Sequence, residues 1–107
     1  FNLPRRCMAE TPFDNIYDLS TEQLEQLDEA EEFMIRNSLG AAEKLLLQML
    51  EVDNDCIPVL SNLGHLYGRH LSEFETAVRY YDRVLGLEPD NAWARDARRR
   101  YMRFIEK

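Results

Sequence analysis

The segment Ala77–Asn91, AVRYYDRVLGLEPDN, decides the fold. Spacings of four, three and one place Ala77, Tyr81, Val84 and Leu85 on one face of a helix. Pro89 then ends the helix and sets the direction in which the chain leaves it. An isolated amphipathic helix has no need of alanine at the centre of its buried face. Alanine there indicates a close approach by another helix, so a repeated helix pair is the pattern to seek.

That pattern exists. Ala42, Leu46, Met49, Leu50 and Asn54 precede Ala77, Tyr81, Val84, Leu85 and Pro89 by a constant 35 residues. Fixed self-similarity of this length is the mark of a stacked helical array. Ser20 and Gln23 form a capping box that opens a first helix with Leu24, Leu27, Ala30 and Met34 or Phe33 inward. After a turn at Asn37–Gly40, a second helix runs from about Gly40 to Val52. Asp55 is expected to cap a third, with Pro58 in its first turn, running to about Gly68 with Leu60, Leu63, Gly64 and Tyr67 buried. Ser72 with Glu75 reads as another capping box before the fourth helix. A fifth helix follows Pro89–Asn91, burying Ala94, Ala97, Tyr101 and Phe104 or Ile105. The fold class is therefore all-α, a superhelical array of about five short antiparallel helices.

Residues 1–20 read as an irregular segment and residues 21–107 as the repeat domain. Within the first, Thr11–Asp14 has the form of a short capped turn, from which Phe13, Ile16 and Tyr17 are expected to fold back onto the first helix. Phe1 in place of methionine is what a piece of a longer chain would show, with Met8 an alternative start.

Leu60, Asn62, Leu63, Gly64 and Tyr67, followed by Phe74, Ala77, Tyr81, Val84, Leu85 and Pro89, closely resemble the tetratricopeptide repeat, whose period is about 34 residues. One extra residue falls in the turn at 68–71. Val84 stands where that family usually has alanine, and Leu60 where it often has tryptophan. Residues 23–56 resemble a weaker copy and residues 91–107 a capping helix. Gly64 and Ala77 are expected to mark the helix crossing, with Tyr67, Phe74 and Tyr81 filling the space around it.

The resemblance implies a concave face, lined by the first helix of each pair, that binds a peptide or a helix of a partner protein. Carried onto this chain, that face would present Asp28 and Glu32, then Ser61, Asn62 and His65 with Arg69, and finally Arg95, Arg99 and Arg103. Ser61 and His65 occupy the places where chaperone-binding members carry lysine and asparagine, so that carboxylate clamp is not reproduced.

Charge supports an interaction role over others. The 107 residues carry a net charge of −7, which opposes nucleic-acid binding by the domain as a whole. Nine acidic and no basic residues lie between Glu10 and Glu32, whereas six basic and two acidic lie between Ala92 and Lys107. Such segregation suits a polar groove, or self-assembly in which the acidic first helix of one copy meets the basic last helix of another. Nucleic-acid contact through the arginines of the last helix is the weakest alternative.

No apolar run is long enough to cross a membrane. Cys7 and Cys56 read as free thiols of a reducing, cytoplasmic setting. Asp53–Asp55 hints at a calcium loop, but the glycine and glutamate such a loop needs are missing. His65 and His70, five apart, would point to different sides of an α-helix and form no metal pair. Without a phosphate loop or nucleophile elbow, no catalytic, cofactor or metal role is expected.

Overall fold

The computed structural model describes residues 17–106. The turn expected at 11–14, the docking of Phe13 and Ile16, and Cys7 lie outside them. The described residues form five α-helices that pack against one another: α1 (Thr21–Ile35), α2 (Leu39–Val52), α3 (Ile57–His65), α4 (Phe74–Leu87) and α5 (Ala92–Ile105). Each helix packs on its successor, as connections of a few residues require. Between α3 and α4 the chain makes a π-helical turn, Leu66–His70.

The periodic faces are buried as the sequence predicts. Leu27, Ala30 and Met34 of α1 meet Ala42, Leu46, Met49 and Leu50 of α2, while Leu60, Leu63 and Gly64 of α3 meet Ala77, Tyr81 and Val84 of α4. Leu46, Leu60, Leu63 and Leu66 are fully buried, and each large aliphatic side chain so placed stabilises the fold by about 1.5–3 kcal/mol. Leu24 departs from its expected place, being 39% exposed at the start of α1. Tyr81, Tyr101, Phe74 and Phe104 form a series of near-parallel rings across α4 and α5, at centroid spacings of 6.2, 5.9 and 4.6 Å.

Small residues occur where rings press on backbone. A β-carbon on Gly64 would lie 2.6 Å from the Tyr81 ring, and one on Gly68 would lie 2.5 Å from the Tyr101 ring. Both distances fall far inside the ~3.5 Å of ordinary contact. Gly64 thus admits a tyrosine from α4, and Gly68, further along the same helical rod, admits one from α5.

The helix starts agree only in part with expectation. The Ser20–Gln23 capping box is present: the Gln23 amide donates to Ser20 Oγ (3.1 Å) and the Ser20 amide to Gln23 Oε1 (2.9 Å). Asp55 does not cap α3. A turn closed by the Cys56 amide on the Asp53 carbonyl (3.2 Å) makes Cys56 the last non-helical residue. Ser72 and Glu75 likewise form no capping box. Ser72 has φ 57°, in the left-handed region, and Glu73 is the residue at the helix start. The Glu73 amide is already committed to the Tyr67 carbonyl (2.8 Å).

That commitment follows from the π turn. The helical rod of α3 runs on through this turn, and the Leu71 amide reaches back five positions to the Leu66 carbonyl (3.1 Å). Bulges of this kind frequently mark functional sites. Tyr67, within the turn, donates to Glu43 Oε2 (2.7 Å) and stacks on Tyr80, linking α2, the π turn and α4. Burial, with Glu43 beside it, raises the Tyr67 phenol pKa.

Candidate functional site

α3 and α5 are separate in sequence but line a common groove. From α3 come Pro58, Ser61, Asn62 and His65; from α5 come Trp93, Asp96, Ala97 and Arg100; the rings of Tyr81 and Tyr101 lie between them. This part of the groove encloses about 570 Å³. Pro58, Ser61 and His65 share it because spacings of three and four keep them on one face of α3. Asn62 is partly committed, its Nδ2 donating to the Pro58 carbonyl (2.8 Å).

One end is built from loop residues. Asn91 caps α5 by accepting from the Ala94 amide (2.9 Å), and its Nδ2 donates to Glu88 Oε1 (3.0 Å). The same carboxylate oxygen accepts from the Tyr17 hydroxyl at 3.0 Å. Tyr17, expected on α1, therefore reaches the α4–α5 turn and the mouth of the groove. Trp93 stands beside it, 88% exposed.

The groove continues past His65, Arg100 and Tyr101 into a second depression of about 600 Å³ beneath the π turn, bounded by Arg69, His70 and Phe104. Here the sequence reading needs correction. His65 and His70 do not point apart; their rings meet edge to face at a centroid distance of 5.3 Å. A turn that closes on the fifth residue superposes positions that an α-helix would separate. Although much of His65 is open to solvent, the shielding it receives is the chief cause lowering its imidazole pKa, helped by the neighbouring positive charge of His70 and Arg69.

Of the residues expected in the groove, Ser61, Asn62 and His65 lie together and Arg69 borders the adjoining depression. Arg95, Arg99 and Arg103 lie elsewhere, in a recess between α4 and α5 that includes Asp82 and Glu106. Asp82 there accepts a charge-assisted bond from Arg98. Asp28 and Glu32 are exposed on α1 and line neither depression. The reason is geometric. A buried stripe has two flanks, and periodicity does not say which one turns towards α3. The flank that does so carries Trp93, Arg100 and Phe104, spaced seven and four apart. The signal available in the sequence was Trp93, the one tryptophan, placed off the apolar stripe of its helix.

Cys56 is buried and free, and burial raises its thiol pKa, which suits a packed side chain rather than a nucleophile. Among the described residues no group of three or more potential metal ligands occurs, and no helix is long and apolar enough to cross a membrane. The chain matches no protein-family model and no curated protein.

Proposed function

We propose that this chain is a protein-interaction module, a helical scaffold of the tetratricopeptide kind, whose α3–α5 groove holds a peptide or helix of a partner protein. The observation that carries this reading is Trp93. A tryptophan 88% exposed at the mouth of an open groove is an unsatisfied apolar surface, and aromatic anchors of this kind dominate binding energy at interfaces. Ser61, Asn62 and Arg100 supply polar groups that would fix orientation.

Trp93 also provides the test, because it is the only tryptophan and its emission reports directly on the groove. Peptides selected from a random display library should shift its emission to shorter wavelength, and Trp93→Ala should weaken their binding at least tenfold. Selected peptides that leave Trp93 emission unchanged and bind Trp93→Ala equally well would overturn the assignment.

The exposed arginines 95, 99 and 103 favour a second reading, head-to-tail self-association with the acidic α1. Sedimentation at low and high salt tests it: the assembly should dissociate as salt rises, and a salt-independent monomer excludes it.

A further inference from the structure

We propose that the depression beneath the π turn is a recognition site for a phosphorylated serine or threonine in the bound peptide. This deepens the groove reading and rests on it.

Four cationic or protonatable side chains converge there. His65, Arg69 and His70 come from one helical rod and Arg100 from α5, and no aspartate or glutamate lines the depression. In a chain with 20 acidic and 13 basic residues, a purely basic depression is a local inversion of the overall charge. Glu73 and Glu75 line a neighbouring recess that shares only Ser72 and Phe74 with the depression. Among the described residues neither the Arg69 nor the Arg100 side chain has an ion-pair or hydrogen-bond partner. Arg98, by contrast, is ion-paired with Asp82 of α4.

The number of charges selects the ligand. Two arginines remain cationic at all working pH values, so a single carboxylate would leave one positive charge unmatched. A phosphomonoester carries a charge of about −1.5 to −2 at neutral pH and offers three acceptor oxygens. It matches the arginine pair, and the adjoining imidazoles can donate to the remaining oxygens. The π turn creates this convergence, since without it His65 and His70 would not share a face. Phe104, half exposed at the rim, offers an apolar surface to a side chain flanking the phosphate. A long polyanion is a poor fit, because the surrounding protein is acidic.

The test compares two oriented peptide libraries of nine residues, one with central phosphoserine and one with serine, in binding assays on the intact chain. Phosphorylated peptides should bind at least tenfold more tightly, an advantage that Arg100→Glu and Arg69→Glu abolish and that Lys44→Glu, on exposed α2 surface, preserves. Phosphoserine amide alone should shift the ring-proton resonances of His65 and His70.

Peptides that move Trp93 emission but bind equally with and without phosphate would overturn this inference and leave the groove reading standing. If no peptide moves Trp93 while phosphoserine amide still shifts both histidines, the groove reading fails and the anion site survives. Absence of both responses sinks both. Mixed-sequence single-stranded RNA, or vesicles containing phosphoinositide, binding more tightly than any phosphopeptide through the same arginines would overturn the choice of a protein ligand.

Discussion

The two helix pairs close by different means. Between α1 and α2 the smallest buried side chains are methyl groups, Ala30 and Ala42, both without accessible surface. Between α3 and α4 the tightest point is a glycine meeting the edge of a tyrosine ring, Gly64 with Tyr81. A ring seated where a β-carbon would be fixes one register, because any shift drives it into backbone. The second pair is also held on both sides, α4 packing on α3 and on α5, whereas α1 packs chiefly on α2. The groove is thus built around a helix that packs on more than one neighbour, as precise positioning of a binding site requires.

Removing the ring should break this difference most severely. Tyr81→Ala is expected to lower unfolding free energy by about 3–5 kcal/mol in urea titration, the range for buried aromatic truncations. Met34→Ala, in the less constrained α1–α2 contact, should lose less, and the reverse order would erase the distinction. Next in size, Ala77→Leu should cost about 1–3 kcal/mol by overpacking. Ala42→Leu should cost less, because α1 can move aside, and equal losses would show both crossings to be equally fixed.

Ser20→Ala removes the capping box and should cost about 0.5–2 kcal/mol. Its effect should appear in amide hydrogen exchange as faster exchange in α1, with α3 and α4 unchanged at the same residual stability. Uniform acceleration across all five helices would mean that the two pairs open together.

The remaining effect concerns alkaline pH. Burial, reinforced by Tyr101 and partly offset by Arg100, pushes the Tyr81 phenol up to about 12. The folded state therefore favours the neutral phenol. Its contribution is fully present below the unfolded value near 10 and is lost as pH rises from there towards 12. Tyr81→Phe should flatten the decline of stability over that window, and an unaltered slope would refute the assignment. The α1–α2 contact contains no tyrosine and contributes nothing to it.

Much of this architecture was legible because buried faces obey a 3.6-residue period. Ala42, Leu46 and Met49, then Ala77, Tyr81 and Val84, needed no more than their spacing. Helix starts were harder. Ser72 is followed three residues later by Glu75, but its left-handed backbone belongs to the exit from the π turn, a feature no local pattern announces. The 35-residue offset is legible in the sequence, yet spacing alone could not show that the helical rod runs on through Leu66–His70 where a turn at 68–71 was expected. The site was half legible for a related reason. Ser61, Asn62 and His65 follow from one helix face, whereas choosing Arg100 over Arg95 and Arg99 requires knowing which flank of α5 meets α3. The histidine contact was misread because it exists only in a helix wound more loosely than α.

The hydrogen bond from Tyr17 to Glu88 joins residues 71 positions apart. Helix packing here is chiefly between consecutive elements, a topology that favours rapid folding because short loops close at little entropic cost. A contact of such long range is expected to form late in that scheme, so Tyr17→Phe should leave the folding rate in stopped-flow experiments unchanged. Interactions absent from the transition state govern the rate of unfolding rather than of folding. On that expectation the tyrosine at the mouth of the groove is a latch on the finished fold, and its loss should show as faster unfolding alone.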